Sequence, residues 1–282
     1  MHSKTIPYLK TNLAPIKIFY RFIDTGINLM RSLGIYKVIY NMSLILINFV
    51  NRKKLLKFYS QFIKKDDLCF DIGANFGLRT EIFLKLGAKV VAVEPQAVCM
   101  QKLQKKYGNN EKVTLIKKAI SDNHGKEELM VSDSHTLSSM SKEWIDSIKS
   151  SSMFFVSTQA FKWQKTATVA VTTLDRLIYK YGKPAFCKID VEGYEYRVIK
   201  GLSEPIKAVS FEFTPTPEFI LSAINIVEYL ASIGEFQFNY SFGESISLVL
   251  KGWVESEEIS NILLNLPKKT PVSGDIYARI IS

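Results

Sequence analysis

The chain has 282 residues, of which 47% are hydrophobic and 23% are charged, and its formal net charge is +10. A chain of this size buries a substantial core, and one α/β domain with an appendage is the simplest organisation. Its three cysteines, Cys69, Cys99 and Cys187, lack metal-ligand spacing and no signal-peptide pattern precedes them, which argues against a disulfide framework and predicts a reducing, cytoplasmic location.

Most of the net charge lies in the first 60 residues, which hold ten lysines or arginines and one acid, Asp24. Apolar residues between Ile16 and Met30 recur every three or four positions, which predicts an amphipathic helix. A second apolar run, Ile35 to Val50, is interrupted by polar residues and is shorter than the ~20 residues that cross a bilayer. We predict a basic helical segment over residues 1–57 and a main domain over residues 58–282.

Two roles for the basic segment stay open. It packs on the main domain as a cap or dimer surface, or it lies on a membrane with Arg52, Lys53 and Lys54 against anionic lipid. Nucleic-acid binding is not expected, because no recognisable DNA-binding or RNA-binding signature accompanies the charge. An oligomer is left open.

The stretch from Cys69 to Pro95 predicts a nucleotide pocket. Two apolar runs of strand length, Leu68 to Phe70 and Val90 to Val93, enclose residues of helical character. The turn after the first run contains Asp71, Gly73, Asn75 and Gly77. Such a turn lies at the carboxyl end of a strand, where open α/β sheets bind ligands. Glu94, with Pro95 beside it, follows the second strand and is placed to accept hydrogen bonds from ribose hydroxyls.

The spacing of this turn favours S-adenosylmethionine over NAD. A pyrophosphate needs the second glycine of G-x-G-x-x-G for close backbone approach, yet Asn75 stands in that place. A nucleoside without phosphates does not require that glycine. An NAD-binding oxidoreductase stays an alternative, and so does an ordinary tight turn between buried strands, because short glycine motifs often match by chance.

The α/β alternation continues beyond Pro95. Ala97 to Tyr107 predicts a helix, Val113 to Ile120 a third strand and Glu127 to Val131 a further strand. The loop after a third strand normally lies against adenine, so Ala119 and Ile120 are candidates for that contact.

From Ser132 to Lys165 the periodic pattern is lost in a stretch rich in serine and aromatic residues, which predicts a long binding loop that decides substrate specificity. His135 in this loop is a candidate general base, because an imidazole titrates near neutrality. A plain surface position is the alternative for it.

The second informative stretch runs from Phe186 to Glu195. Ala185 to Ile189 predicts a buried strand that ends at Asp190, and Glu192 and Glu195 follow at the start of a helix. Three carboxylates at one strand end are more than a helix cap requires, and like charges brought together raise a pKa or attract a cation. We therefore predict that Asp190 lies at the reacting centre and contacts the cofactor.

Together these motifs resemble the FkbM family of S-adenosylmethionine-dependent methyltransferases over about residues 55–282. The matching blocks are Asp71 to Gly77, Val93 to Pro95, Val171 to Asp175, Lys188 to Glu195 with Gly201, and Ser210 to Phe213. The resemblance implies a Class I methyltransferase fold, an α/β Rossmann-like sheet of seven strands in the order 3-2-1-4-5-7-6 with strand 7 antiparallel. The remaining elements then follow as Ala208 to Phe213 for strand five, Phe219 to Ile233 for a helix, and Phe236 to Tyr240, Ile246 to Leu250 and Ile276 to Ile281 for strands.

The resemblance also implies a function. Such proteins typically methylate a hydroxyl of a sugar, glycan or secondary metabolite, by in-line displacement at the sulfonium of S-adenosylmethionine. Asp190, Glu212 and His135 are the catalytic candidates, although similar proteins often have a histidine shortly after the strand-five glutamate, where this chain has Phe213 and Thr214. No metal site is expected, while a divalent cation between Asp190 and Glu212 is left open. An inactive methyltransferase-like protein that binds at a membrane surface is the alternative.

Overall fold

The computed structural model describes residues 52–132, 135–150, 162–243, 247–266 and 273–281. The chain divides into two units, Met1–Lys53 and Lys54–Ser282. The predicted basic segment of residues 1–57 lies outside the described residues except for 52–57, which belong to a helix, α1, over residues 52–59. None of the helices in the described ranges is long and apolar enough to span a membrane.

Ten strands and seven further helices are described. The strands are β1 (Leu68–Ile72), β2 (Lys89–Val93), β3 (Val113–Ile116), β4 (Ala119–Ile120), β5 (Gly125–Ser132), β6 (Trp163–Thr172), β7 (Phe186–Ile189), β8 (Ala208–Phe213), β9 (Phe236–Phe242) and β10 (Gly274–Ile280). The helices are α2 (Leu78–Lys85), α3 (Ala97–Tyr107), α4 (Lys142–Ser150), α5 (Leu174–Tyr181), α6 (Glu195–Lys200), α7 (Pro217–Ile233) and α8 (Ser256–Leu264).

Seven strands form the main sheet, in the order β3-β2-β1-β7-β8-β10-β9. Neighbouring strands from β3 to β8 are parallel, whereas β10 is antiparallel to both β8 and β9. Numbered within this sheet alone, the order is 3-2-1-4-5-7-6 with strand 7 antiparallel. The Class I methyltransferase fold implied by the sequence is thus confirmed.

The two faces of the main sheet are covered by different helices. Apolar residues of α5, α6, α7 and α8 pack on one face, together with Phe70, Cys187 and Ile189. Apolar residues of α1, α2 and α3 pack on the other face, together with Cys69 and Phe186. Successive side chains of a strand point to opposite faces, so Phe70 and Ile72 lie on one side of β1 while Asp71 points to the side of α2.

A smaller sheet of order β4-β6-β5 lies between the third and fourth strands of the main sheet in sequence. The predicted third strand, Val113 to Ile120, was therefore wrong in extent. It breaks after Ile116, whose carbonyl accepts a hydrogen bond from the amide of Lys118 at 3.0 Å. Ala119 and Ile120 then pair with the end of β6 in the smaller sheet.

The predicted loop from Ser132 to Lys165 was also wrong in part. It contains a 3-10 turn, His135–Leu137, the helix α4 and the start of β6. Residues 133–134 and 151–161 lie outside the described residues. α4 forms because Trp144, Ile145 and Ile148 share one helical face and are buried together with Leu137.

The predicted strand from Ile246 to Leu250 was wrong over the described residues 247–250, which have no strand structure. The side chain of Asn239, on β9, forms hydrogen bonds with the backbone of this segment. Its amide nitrogen donates to the carbonyls of Leu250 at 3.0 Å and Gly252 at 2.9 Å, and its oxygen accepts from the amide of Leu250 at 3.1 Å.

Candidate active site

A cavity of about 310 Å³ opens where β1, β2, β7 and β8 end. Its volume lies at the lower end of the range of about 300–1,000 Å³ that small-molecule sites occupy. Seven of the nine residues predicted to bind the cofactor line this cavity. They are Gly73, Asn75, Glu94, Pro95, Ala119, Ile120 and Asp190.

Gly73 lets the turn after β1 approach the end of β7. Its φ angle is 80°, in the left-handed region that favours glycine. A Cβ atom at this position would lie 1.8 Å from the carbonyl oxygen of Asp190. The amides of Gly73 and Ala74 donate to the carbonyl of Val93 at 2.9 and 3.0 Å, which ties the turn to β2 as well.

Glu94 is 2% exposed and lines the cavity beside this turn. Its carboxylate accepts hydrogen bonds from the amide of Asn75 at 2.9 Å and from the amide of Gln96 at 2.8 Å. Burial raises the pKa of this carboxyl to about 7, while the two backbone donors act in the opposite direction. The side chain of Gln96 also lowers this pKa by a hydrogen bond, and a carboxylate has about four lone-pair sites, so Glu94 keeps the capacity to accept a bond from a ligand hydroxyl.

Asp71 and Gly77 do not line the cavity. The Asp71 side chain is 2% exposed and accepts a hydrogen bond from the hydroxyl of Thr80 on α2. Burial raises the pKa of this carboxyl. Gly77 precedes α2 with φ 78°, and its carbonyl accepts from the hydroxyl of Tyr107 at 3.1 Å. Asp71 thus links β1 to α2, and Gly77 links the turn to α3. Their predicted contact with a cofactor has no support from this geometry.

The other end of the cavity is acidic. Asp190, Glu192 and Glu212 each present a carboxylate oxygen, and these oxygens lie within 4.8 Å of one another. All three residues line the cavity. Two of the predicted catalytic residues, Asp190 and Glu212, are thereby brought together although 21 intervening residues separate them in sequence.

Lys188 supplies a positive charge beneath this acidic end. It is 1% exposed, and its Nζ lies 2.8 Å from Oδ1 of Asp275 and 3.3 Å from Oδ2 of Asp190. Burial alone would lower the pKa of this ammonium, but the carboxylates of Asp190 and Asp275 hold it well above its usual value. Lys188 is therefore charged and holds one oxygen of Asp190 in place.

Glu192 was not among the predicted catalytic residues, although the sequence analysis noted its carboxylate. It has a left-handed backbone with φ 55°, and its carbonyl accepts a hydrogen bond from the hydroxyl of Ser139 at 2.6 Å. Burial, followed by the neighbouring carboxylate of Glu212, raises the pKa of Glu192 well above its usual value. Burial is also the largest cause that raises the pKa of Glu212 well above its usual value, and the charge of Asp190 is the next.

Glu195 has a different role from its acidic neighbours. Its carboxylate accepts hydrogen bonds from the amides of Val191 and Gly193, both at 3.2 Å, so it closes the turn that precedes α6. Burial raises its pKa to about 7. Both donors precede α6, whose N-cap residue is Tyr194, so Glu195 stabilises the turn and does not cap the helix.

The segment 138–144 borders the cavity from the smaller sheet. The hydroxyl of Ser138 donates to the side-chain oxygen of Gln96 at 2.9 Å, beyond Glu94. The ring of Trp144 packs against Gly193, where a Cβ atom would lie 2.3 Å from Cγ of the ring. Its Nε1 donates to the hydroxyl of Thr214 at 3.3 Å, two residues after Glu212. Trp144 was seen in the sequence only as part of an aromatic stretch, and its link to β8 depends on tertiary contacts.

His135 begins the 3-10 turn beside this segment, but its side chain lies outside the described part of the structure. Its role as a general base stays a prediction. The divalent cation left open between Asp190 and Glu212 stays untested too, since acidic groups in such a cluster are common without an ion.

A family model for the methyltransferase FkbM domain matches residues 71–244. No curated protein matches the sequence.

Several solved structures are similar in fold, at low identity. A precorrin-6y C5,15-methyltransferase from Geobacter metallireducens is 10% identical, with 83% of this chain and 88% of that chain covered and a TM-score of 0.42. A protein named as a candidate RNA methyltransferase from Pyrococcus horikoshii is 11% identical, with 82% of each chain covered and a TM-score of 0.41. A candidate methyltransferase from Streptococcus mutans, solved with S-adenosylhomocysteine, is 12% identical, with 80% and 95% covered and a TM-score of 0.37.

Proposed function

Because this chain belongs to the FkbM methyltransferase family, we propose that it transfers a methyl group from S-adenosylmethionine to a hydroxyl oxygen of a small-molecule or glycan acceptor. One observation carries the proposal. A cavity of about 310 Å³ has Glu94 at one end, the carboxylates of Asp190 and Glu212 at the other, and the glycine turn between them. The family match gives no support to the oxidoreductase alternative.

The residues at the first end fit the nucleoside part of the donor. Glu94 would accept hydrogen bonds from the ribose hydroxyls, because its oxygens have spare lone pairs. Ala119 and Ile120 offer apolar surface for adenine. Gly73 presents backbone without a side chain, so the ligand is able to approach the turn closely.

The residues at the acidic end fit the transfer step. S-adenosylmethionine supplies a methyl group that is already activated by the sulfonium charge, so the protein mainly aligns donor and acceptor. The acceptor oxygen must lose its proton as the new O–C bond forms. Asp190, whose one oxygen is held by Lys188, is placed to orient the hydroxyl, and Glu212 is placed to accept its proton.

The test is a transfer assay with S-adenosylmethionine labelled on the methyl group, against pooled glycans, lipid-linked glycans and small hydroxylated metabolites. We expect label in at least one acceptor pool, and its loss in the Asp190→Asn variant. Glu228→Gln is the matched control, because Glu228 is an exposed carboxylate on α7. Calorimetric binding of S-adenosylmethionine without transfer to any pool would favour an inactive binding protein.

The acceptor's surroundings and the basic segment are the remaining parts of the proposal. We place the acceptor against the acidic end and segment 138–144, of which Ser138 and Met140 line the cavity. We retain peripheral contact with an anionic membrane as a proposal for residues 1–57, on the strength of their charge alone.

A further inference from the structure

Among the described residues, Glu192 and Glu212 form a pair of carboxylates without the hydrogen-bond partners that their neighbours have. Oxygens of the two groups lie within 4.8 Å of each other in the cavity. Neither carboxylate accepts a hydrogen bond from any residue in the described ranges. Glu195, by contrast, accepts two backbone hydrogen bonds.

Four charged side chains from neighbouring elements face the pair. Lys188 comes from β7, Asp190 from the turn after it, Glu195 from the start of α6, and Asp275 from β10. Lys188 is the cation among these groups, and it lies closest to Asp275 and Asp190, at 2.8 and 3.3 Å. Two ionised carboxylates at the distance of Glu192 and Glu212 would repel each other in a partly buried site, and one shared proton removes that repulsion. The raised pKa of both groups agrees with this.

The donor carries a positive charge that would enter the same region. In S-adenosylmethionine the sulfonium is attached to the 5′ carbon of ribose and the adenine to the 1′ carbon. With the ribose held by Glu94 and the adenine by Ala119 and Ile120, the sulfonium would extend along the remaining lining of the cavity, which includes the acidic end. S-adenosylhomocysteine has the same nucleoside but a neutral thioether there.

We propose that Glu192 and Glu212 share one proton in the free protein at neutral pH, and that they release it when S-adenosylmethionine binds but not when S-adenosylhomocysteine binds. This inference rests on the proposed function and names Glu192 as a further catalytic residue. The positive charge of the sulfonium replaces that of the proton, because either charge offsets the repulsion between the two carboxylates.

In the transfer step, the proton that the acceptor loses is taken up by the carboxylate pair. With the donor bound, the pair is fully ionised and ready to act as a base. As the O–CH₃ bond forms and the S–CH₃ bond breaks, the sulfonium charge disappears and the acceptor proton moves to the pair. The pair then holds one proton beside the neutral product, which is the state proposed for the free protein.

Isothermal titration calorimetry of the full chain tests the proposal without knowledge of the acceptor. Both ligands are titrated at about pH 7, with EDTA present, in buffers of different ionisation enthalpy, so that the dependence of the observed heat on the buffer counts protons. Glu94 contacts the ribose that both ligands carry, and a proton released there cancels in the comparison. We expect S-adenosylmethionine to release up to about one proton more than S-adenosylhomocysteine.

Three variants test whether Glu192 and Glu212 hold the released proton. Glu192→Gln and Glu212→Gln keep the side-chain shape, and each is expected to remove the difference between the two ligands. Glu228→Gln, the exposed control on α7, is expected to retain it. The wild-type chain alone gives a second measurement, because a released proton makes the affinity for S-adenosylmethionine, relative to S-adenosylhomocysteine, rise by up to about tenfold per pH unit.

Several results would overturn the inference. Equal proton release for both ligands would do so, and so would a difference that persists in both glutamine variants. Binding of Mg²⁺ without EDTA that is lost in Glu192→Gln would show that a cation, not a proton, separates the pair. Absence of binding by either ligand would instead refute the proposed function, so the two failures are distinguishable.

Discussion

The carboxylate of Glu94 accepts a hydrogen bond from the backbone amide of Asn75, at 2.9 Å and across 19 residues of sequence. This bond joins the tip of β2 to the glycine turn after β1, so the two parts of the proposed nucleoside site form one unit. The amide of Asn75 lies in a left-handed stretch with φ 49°, which aims it at the carboxylate.

Replacement of Glu94 by glutamine is therefore expected to weaken binding of S-adenosylmethionine. The amide NH₂ group would face one of two backbone donors, and one acceptor for the ribose would be lost. We expect the dissociation constant to rise by about 10- to 100-fold, or ~1.4–2.8 kcal/mol. Calorimetry measures this, with Glu228→Gln as control. Unchanged affinity would mean that the ribose binds elsewhere.

Replacement of Gly73 by alanine is expected to destabilise the fold. The new Cβ would lie 1.8 Å from the carbonyl oxygen of Asp190, and alanine is strained at φ 80°. Left-handed strain alone costs on the order of 1–3 kcal/mol, and the clash adds to it. Urea unfolding measures the loss. Gly252→Ala is the matched control, because nothing lies within 4 Å of a Cβ there; similar losses in both variants would contradict the explanation.

Two replacements of Trp144 separate its hydrogen bond from its packing. Phenylalanine keeps a ring against Gly193 but removes the Nε1 donor to Thr214, which is expected to cost roughly 0.5–1.5 kcal/mol of unfolding free energy. Alanine also removes the buried ring and is expected to cost about 3–5 kcal/mol. Chemical denaturation gives both values. Equal costs would show that the ring does not pack as the structure has it.

Stability is expected to fall between about pH 5 and pH 7 through Glu94 and Glu195. Burial raises the pKa of both to about 7 in the folded state. Between the unfolded pKa, about 4.3, and this value, the folded state binds more protons than the unfolded state. Rising pH then favours unfolding, by up to about 1.4 kcal/mol per pH unit for each group. Unfolding curves at several pH values test this, and Glu94→Gln should show a smaller decline than the wild type.

Binding to anionic vesicles is expected to depend on the basic residues before the main domain. Replacing Lys4, Lys10, Lys17, Arg21 and Arg31 with glutamine removes five charges, each worth about 1 kcal/mol near an anionic surface. A control with the same charge loss replaces the exposed Lys64, Lys105, Lys126, Lys207 and Lys251. Vesicle flotation should fall in the first variant and persist in the second. Equal flotation of both would refute membrane contact through residues 1–57.

The residues that line the cavity at the ends of β1 and β2 were predictable from the sequence, because the signals there are local. Gly73, Asn75 and Glu94 follow two apolar strand-length runs, and parallel strands bring their carboxyl ends to the same edge of a sheet. The strand order was implied by the resemblance to the FkbM family, which the motifs carry. Asp71 was assigned to the cofactor from the same motif, although the period of two along β1 turns its side chain toward Thr80 on α2.

The acidic end was decided by tertiary structure. Asp190 and Glu212 are adjacent only because β7 and β8 pair in parallel, and Lys188 meets Asp275 across 87 residues. The contacts of Trp144 with Gly193 and Thr214 depend on α4, which the sequence analysis read as a loop. Local periodicity determines strands and turns, whereas the distance between charges, and hence which carboxylates share a proton, depends on how distant strands pair.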